Sequence, residues 1–306
     1  MKIQAQKAFF IKLGHSGFWA QECINNSTLR LGFKNPHHQK CVEGDWDFIR
    51  NYWKNNVHKT DGKATETTNQ IRNFYESEAD VLWITFHNRK LYWCFSKREI
   101  TELEDGTRIR PCKGSWSYKA INGNELTVEA LSSKLTKTQA FQGTICNIEA
   151  LDYLKRRLNG TELPSVIRAR KAYKELKDSL IDLIKNLTWQ DFELLTDLIF
   201  SYSGWKRIET LGKTQKSIDL DLMSPVTGKR AFVQVKSTSD LSTFQEYVDQ
   251  FKNMNQYDEM YFVVHGPKKN LEGYDGDHRE KIISVDRIAD LSINSGLADW
   301  IISKSR

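Results

Sequence analysis

Two short stretches in the last third of the chain place acidic, amide and ammonium side chains at a spacing that could act on a phosphodiester. In SIDLDLM, Asp219 and Asp221 alternate with aliphatic residues, so a β-strand would direct both carboxylates to one face. In RAFVQVKS, Gln234 and Lys236 share a face by the same alternation. If the two strands pair antiparallel with their apolar faces matched, the four polar side chains lie on one surface.

The register of this pairing decides which carboxylate meets the amide. Pairing Met223 with Arg230 places Asp219 opposite Gln234, whereas a two-residue slip places Asp221 there. A carboxylate and an amide oxygen on adjacent strands can hold a hard cation such as Mg²⁺, which polarises a phosphodiester and lowers the pKa of a bound water. A lysine on the same face can orient that water or stabilise developing charge. A half-exposed hairpin with solvated polar side chains is the structural alternative.

The surrounding elements are expected in the order helix, strand, strand, strand, helix, strand. Thr188 can cap a helix through WQDFELLTDLIFSYS, which ends at Gly204. Strands are expected in WKRIETL, SIDLDLM and RAFVQVKS, followed by a helix over 241–254, strands in EMYFVVH and KIISV, and two short helices. Upstream, apolar residues at three- and four-residue steps over 166–187 predict a long amphipathic helix.

Asp219 followed fifteen positions later by Gln234-Val235-Lys236, within this element order, resembles the PD-(D/E)xK nuclease superfamily. The pattern looks most like the Mrr-type restriction endonucleases, in which Gln commonly replaces the acid of the E-x-K half. Asp191-Phe192-Glu193 resembles the Phe-Glu start of the Mrr helix, and Ser203-Gly204-Trp205 stands where that family has a glycine-aromatic turn. The resemblance covers about residues 185–306.

This resemblance implies a Mg²⁺-dependent (or Mn²⁺-dependent) DNA endonuclease with Asp219, Gln234, Lys236 and Glu193 as its catalytic residues. Asp219 would be the metal-ligating acid and Gln234 a second, neutral ligand. Lys236 would position the nucleophilic water, and Glu193 would complete the acidic cluster. Asp221 is the alternative metal ligand if the register slips.

The loop before Asp219 is basic, whereas the family has a glycine-rich approach. Its Lys213 and Lys216 suit a DNA phosphate backbone. Gln234 in place of an acid removes a negative charge, which should weaken metal affinity. A DNA-binding protein with an inactive nuclease fold therefore stays open, as does a structure-specific, junction-type nuclease.

The first half of the chain reads as short aromatic-rich strands, with a hairpin around His87–Lys90 and a polar surface loop over 54–67. The strings FFIKLG, LRLGF, GDWDFIRNYW, VLWITFHNRKLYWCF and GTICNI look like the PUA/EVE-type small β-barrel modules, which are related to the SRA readers of modified bases. That resemblance implies an aromatic pocket for a flipped base. The expected pocket wall is Trp46, Trp83, Trp93, Trp116 and Phe33, with Asp45 or Asp47 reading the base edge; the alternative is that most of these aromatics form a barrel core.

Composition agrees with two globular domains. The 306 residues carry 45 Lys+Arg and 39 Asp+Glu, so the net charge is 45 − 39 = +6, which permits a nucleic-acid partner without demanding one. Five cysteines without a CxxC pair favour free thiols over a zinc ribbon or a disulfide framework. No apolar run approaches the roughly 18 residues of a membrane-spanning helix, and the N-terminus lacks the pattern of a signal peptide.

We therefore expect a cytoplasmic protein without membrane contact, of mixed α+β and α/β class. The predicted domains are a PUA/EVE-like β-barrel (1–158), a helical connector (159–187) and an Mrr-like α-β-β-β-α-β nuclease domain (188–306). The expected activity is modification-dependent restriction of foreign DNA, as in phage defence. The expected partner is double-stranded DNA carrying a modified base, and two scissions per duplex suggest a homodimer.

Overall fold

The computed structural model describes residues 2–208, 218–268, 271 and 278–306. The chain divides into two compact units, Met1–Leu163 and Pro164–Arg306. Among the described residues, no helix combines the length and apolarity that crossing a bilayer requires.

The first unit mixes short strands with short helices. Its strands are β1 (Ala8–Ile11), β2 (Thr28–Leu31), β3 (Leu82–His87), β4 (Lys90–Phe95), β5 (Thr101–Glu102), β6 (Arg108–Pro111) and β7 (Ile145–Asn147). Its α-helices are α1 (Ala20–Asn25), α2 (His38–Glu43), α3 (Trp46–Asn55), α4 (Asp61–Glu76), α5 (Ser133–Thr136) and α6 (Leu151–Leu158).

These strands form two sheets, one in the order β4-β3-β1-β7 and one in the order β2-β6-β5. The predicted small β-barrel is not found as a closed barrel within the described residues. The physical reason lies in the pairing of β1 with β3, which is parallel. A parallel pair needs a long crossover connection, and α1–α4 lie within it, so the chain cannot form a barrel by simple hairpins.

Helix α4 corrects the expectation of a surface loop over 54–67, because it begins at Asp61. Its buried face carries polar residues that a hydrophobic-period argument overlooks. The buried Gln70 accepts hydrogen bonds at its side-chain oxygen from the backbone N–H groups of Thr144 (2.7 Å) and Ile145 (2.9 Å). The helix thus satisfies backbone donors at the start of β7, where an apolar side chain would leave them unpaired.

Two fully buried arginines, Arg108 and Arg110, lie on β6. The Arg108 guanidinium donates to Glu102 Oε1 (2.7 Å) and to the carbonyls of Phe33, Asn35 and Gly106. The Arg110 guanidinium donates to the carbonyls of Lys97 (2.5 Å), Phe74 (2.6 Å) and Ser77. Burial lowers the pKa of Arg110 to about 10, so it remains charged near neutral pH.

The two ends of the first unit are hydrogen bonded to each other. The Ile3 N–H donates to Asn159 Oδ1 (2.7 Å), and Asn159 Nδ2 donates to the Ile3 carbonyl (3.0 Å). This pair joins residues 156 positions apart and ties the start of the unit to the end of α6.

The second unit begins with a long helix. Its helices are α7 (Pro164–Lys185), α8 (Trp189–Tyr202), α9 (Leu241–Lys252), α10 (Val285–Asn294) and α11 (Ala298–Lys304). Its strands are β8 (Lys206–Arg207), β9 (Leu220–Met223), β10 (Arg230–Ser239), β11 (Glu259–Pro267) and β12 (Glu280–Ser284). Helix α7, which was predicted as a connector, buries Leu180 and Ile184 in the core of this unit.

The strands of the second unit form one sheet in the order β12-β11-β10-β9-β8. Strands β10, β11 and β12 are parallel, and β9 runs antiparallel to β10. Val233 and Val235 face one core with α7, α8, α10 and α11, whereas Phe232 faces a second core with α9. The sheet is therefore covered on both faces, as expected for a mostly parallel sheet.

Candidate functional site

The pairing of β9 with β10 sets the geometry of the polar cluster. Met223 lies opposite Arg230 and Leu220 opposite Val233, so the next position brings Asp219 beside Gln234. This is the register in which Asp219, and not Asp221, meets the amide. The two apolar faces match as the alternation of the sequence requires.

Asp219 is held by hydrogen bonds from β10. Its Oδ2 accepts from Gln234 Nε2 (2.5 Å) and from the Val235 backbone N–H (2.6 Å). Burial raises the pKa of Asp219 above its ordinary value, although the Val235 and Gln234 hydrogen bonds and the charge of Lys236 oppose that shift. Its Oδ1 has no hydrogen bond from any residue that the structure describes. One carboxylate oxygen is thus fixed, and the other is open to a ligand.

Gln234 presents a second open oxygen. The residue is 2 % exposed, and its Oε1 is buried without a hydrogen-bond partner among the described residues. Because Nε2 donates to Asp219, the amide oxygen points away from that bond. A buried amide oxygen without a partner costs free energy unless a ligand satisfies it.

Glu193 joins this cluster from the first turns of α8. The Thr188 side chain caps that helix by accepting from the Asp191 N–H, as the sequence predicts. Burial raises the pKa of Glu193, the negative charge of Asp219 raises it further, and the charges of Arg207 and Lys236 oppose the rise. The negative charges of Glu193 and Asp219 therefore repel each other, and the positive charges of Arg207 and Lys236 offset this repulsion only in part.

Lys236 is half-buried on β10, two residues beyond Gln234. Its Nζ lies 5.4 Å from the ring centroid of Tyr247, on α9. The positive charge of Lys236 acts to lower the pKa of both Asp219 and Glu193, so its ammonium group lies near these carboxylates without forming an ion pair within 4.0 Å among the described residues. The structure thus brings together Glu193, Asp219, Gln234 and Lys236.

Asp221 takes a different position from the one expected of an alternative metal ligand. It lies opposite Phe232, and its Oδ2 forms an ion pair with Arg230 Nη2 (2.8 Å). Arg230 in turn packs over the ring of Tyr257. Asp221 is therefore paired with Arg230. Asp219 occupies the position beside Gln234 that Asp221 would take after a two-residue slip of the register.

The donor set fits a hard divalent cation. Asp219 Oδ1, the orphaned Gln234 Oε1 and the Glu193 carboxylate are oxygen ligands of the kind that Mg²⁺ prefers. In the described part of the chain, no group of three or more His, Cys, Asp or Glu side chains could hold a metal ion. Two carboxylates and one amide leave several coordination positions to water or phosphate, which is usual for Mg²⁺.

Two predicted DNA-backbone contacts, Lys213 and Lys216, lie outside the described residues. Their expected role stays a prediction.

The predicted aromatic pocket of the first unit needs correction. Trp83 is fully buried and packs against Phe9, with ring centroids 5.3 Å apart. Trp116 is 6 % exposed and donates its Nε1–H to the Thr28 carbonyl (2.9 Å). Both belong to the hydrophobic core, so neither ring can stack on an incoming base without unpacking that core.

The remaining predicted reader residues, apart from Phe33, do not border a cavity of this unit that lies beside Trp19. Trp46 Nε1 donates to Glu76 (2.6 Å), and Trp93 Nε1 donates to the Lys119 carbonyl (2.9 Å). Asp45 caps α3 by accepting from the Phe48 N–H, and the exposed Asp47 lies in the first turn of the same helix. A carboxylate at a helix N-terminus is favourable for structural reasons alone.

That cavity has a volume of about 820 Å³. Phe33 is the one predicted reader residue that borders it. The aromatic residues that line the cavity are Phe10, Phe18, Trp19, Phe33 and Phe86. The polar side chains in its lining are those of Lys12, His15, Ser16, Thr85, Gln139, Gln142 and Thr144. Thr85 is 2 % exposed.

The sequence carries a signal for this cavity in the spacing of Gly14, Trp19 and Gly32. A Cβ atom on Gly14 would approach Trp19 Cε3 to 3.0 Å, and one on Gly32 would approach Trp19 Cζ3 to 3.1 Å. Gly14 also has φ +84°, where side chains are strained. Two glycines therefore make room for the Trp19 ring, which helps to form the wall.

Comparison with known proteins gives a family match within the second unit. Residues 184–265 match the family model Mrr_cat, described as restriction endonuclease. The matched segment contains Glu193, Asp219, Gln234 and Lys236. The match supports a nuclease domain of the restriction-endonuclease type in the C-terminal part of the chain, for which DNA is the substrate. No curated protein and no solved structure matches the chain.

Proposed function

We propose that the second unit is a metal-dependent DNA endonuclease that hydrolyses phosphodiester bonds. One observation carries the proposal: Asp219 is hydrogen bonded to Gln234, whose buried Oε1 lacks a partner, inside the segment that matches a restriction-endonuclease family. The open oxygens of both residues, together with Glu193, supply a site that a divalent cation would complete.

Each side chain has a definable task in this proposal. Asp219 and Gln234 would hold the cation, and the Val235 N–H fixes the Asp219 carboxylate in orientation. Glu193 would accept a hydrogen bond from a water at the site. Lys236 donates to the attacking water or to the phosphoryl oxygen on which negative charge develops. When bound, Mg²⁺ or Mn²⁺ would polarise the phosphodiester and lower the pKa of a bound water.

A cleavage assay tests this activity. Wild-type protein with Mg²⁺ or Mn²⁺ should cut duplex DNA, EDTA should stop it, and Lys236→Ala should abolish it. Lys252→Ala removes an exposed lysine from α9 and serves as the charge-matched control, which should cut like the wild type. If the wild type cuts no substrate with either metal, the endonuclease proposal is wrong. If this wild-type protein nevertheless binds duplex DNA, the result favours a DNA-binding protein with an inactive nuclease fold.

We further propose that the first unit makes the activity dependent on a modified base, which would direct the nuclease to foreign DNA that carries this modification. The supporting feature is the cavity of about 820 Å³, whose walls combine aromatic rings with polar side chains such as Thr85. This volume lies within the range of roughly 300–1,000 Å³ for small-molecule sites. Flat apolar walls suit a base, and a buried hydroxyl suits its polar edge.

Duplexes with 5-methylcytosine, 5-hydroxymethylcytosine, 6-methyladenine or no modification test this dependence. Preferential cutting of one modified duplex is expected. Equal cutting of all four would contradict the reader role, and preference for branched junctions would identify a structure-specific nuclease. Because each chain offers one candidate site and a duplex needs two scissions, we propose a homodimer on DNA, which cleavage kinetics that are second order in protein would support.

A further inference from the structure

Phe18 is an exposed aromatic residue at the edge of the cavity in the first unit. Its side chain borders that cavity and is 84 % exposed, more than any other aromatic residue of the described ranges. A single exposed apolar side chain is common on proteins, but this ring also borders a cavity with aromatic walls.

A compact turn holds Phe18 in place. The Gly17 N–H donates to the Gly14 carbonyl (3.2 Å), the Phe18 N–H to the His15 carbonyl (3.0 Å), and the Trp19 N–H to the Leu13 carbonyl (3.0 Å). The next residue, Trp19, is packed between Gly14 and Gly32, and Arg30 lies 4.3 Å from its ring centroid. The turn therefore anchors one aromatic ring and leaves its neighbour in solvent.

The interior of the cavity indicates which kind of ligand it takes. Phe10 and Phe86 lie with ring centroids 6.1 Å apart and form part of the wall. Thr85, which is almost completely buried, and the side chains of Gln139 and Gln142 add polar groups to the lining. A flat ligand with apolar faces and a polar edge fits these walls, and in DNA that ligand is a base turned out of the helix.

We propose that Phe18 enters the DNA base stack and fills the gap that the extruded base leaves. This inference rests on the proposed reader function of the first unit. Extruding a base costs a few kcal/mol of stacking and pairing, and an inserted apolar ring recovers part of that cost. Phe18 and the cavity thus act on the same nucleotide position from two sides.

Binding measurements on two matched duplexes test the role of Phe18. Both carry the modified base that the wild type binds best among 5-methylcytosine, 5-hydroxymethylcytosine and 6-methyladenine. In one duplex the base is paired, and in the other it faces an abasic site, which lowers the cost of extrusion. Fluorescence anisotropy of the full chain in EDTA gives both dissociation constants without cleavage.

Phe18→Ala should bind the paired duplex about tenfold more weakly than the wild type, and the abasic duplex only about twofold more weakly. Phe18→Trp keeps a planar ring and should bind both like the wild type. Val42→Ala, which removes another exposed apolar side chain of this unit, is the matched control and should change neither constant.

The outcomes separate the two proposals. If Phe18→Ala binds the paired duplex like the wild type, or loses equal affinity for both duplexes, Phe18 does not act on extrusion and the inference is overturned. If the wild type itself binds modified and unmodified duplexes equally, the reader function fails, and the role of Phe18 fails with it. Equal thermal unfolding of Phe18→Ala and wild type confirms that the fold is intact.

Discussion

A buried arginine of the first unit and the candidate site of the second unit differ in how their polar groups are satisfied. In the first unit, all three guanidinium nitrogens of Arg110 donate to backbone carbonyls. In the second unit, Gln234 Oε1 lacks a partner in the described structure, and Glu193 has a carboxylate whose pKa is raised by burial. The hydrogen bonds of Arg110 stabilise the fold, whereas the unsatisfied Gln234 oxygen, next to two carboxylates, is where a ligand would be accommodated.

This contrast gives a criterion for the candidate site that does not depend on family resemblance. Removing a polar group that is satisfied should cost stability, because its former partners lose their hydrogen bonds. Removing one that waits for a ligand should cost function and little stability. The four predictions below test that difference, in order of decreasing effect.

Asp219→Asn should abolish cleavage, with a loss of about a thousandfold or more, equivalent to about 4 kcal/mol. The reason is that the amide cannot supply the negative charge that a divalent cation needs. In EDTA the unfolding temperature should stay at or above that of the wild type, because a charge that burial disfavours has been removed. Cleavage rates with Mg²⁺ and thermal unfolding measure the two effects. A strong loss of stability would make Asp219 a structural residue.

Arg110→Met should destabilise the first unit by about 3 kcal/mol, because it leaves the carbonyls of Phe74, Lys97 and Ser77 without their donor. Urea unfolding followed by tryptophan fluorescence measures this change, since six of the nine tryptophans lie in this unit. Arg98→Met, at an exposed ion pair with Glu78, is the control and should change little. Equal effects of both changes would contradict the structural role of Arg110.

Glu259→Gln should destabilise the second unit by about 1–2 kcal/mol at neutral pH. Burial opposes ionisation of Glu259, but hydrogen bonds from Lys281 (2.8 Å), Tyr261 (2.6 Å) and Lys229 (3.1 Å) hold its pKa at about 2.

The pH dependence of this effect has a definite sign. The ordinary pKa of such a glutamate is 4.5, and the folded value is lower, so its contribution is fully present above about pH 4.5 and disappears as the pH falls through about 2. In thermal unfolding of wild type and Glu259→Gln between pH 7 and pH 3, the difference in stability should therefore be constant above about pH 4.5 and shrink below it. If the difference in unfolding temperature between wild type and Glu259→Gln stays constant with pH, folding does not favour the ionised form of Glu259.

Asp221→Asn should change cleavage by less than about threefold, because this carboxylate pairs with Arg230 and lies outside the cluster. The measurement is the same cleavage assay as for Asp219→Asn, which makes the two aspartates of one strand a matched pair. If Asp221→Asn lost as much cleavage activity as Asp219→Asn, Asp221 would also have to be assigned as a metal ligand.

Much of the second unit could be predicted because its local signals agree with one another. The Thr188 cap, the alternation of β9 and β10, and the helix of α9 each follow from short-range rules, and the pairing of Met223 with Arg230 is one of the two registers that the alternation allowed. Sequence alone could not choose between those registers, because a two-residue slip keeps every side chain on its face.

The first unit was harder to predict because a tryptophan side chain is suited both to a hydrophobic core and to the wall of a binding pocket. Residue type alone does not distinguish these two positions. The hairpin at His87–Lys90 is confirmed, with Asn88 and Arg89 at positive φ as a tight turn requires. The reader residues were chosen by aromatic type, and burial assigns Trp83 and Trp116 to the core instead. The glycines that flank Trp19 predict the cavity wall better, because a glycine is needed where a bulky ring packs closely against the backbone.

The hydrogen bonds between Ile3 and Asn159 have a consequence for how such a chain could arise. Because the first unit starts and ends at one point, the whole unit can be added to or removed from a gene without separating paired strands.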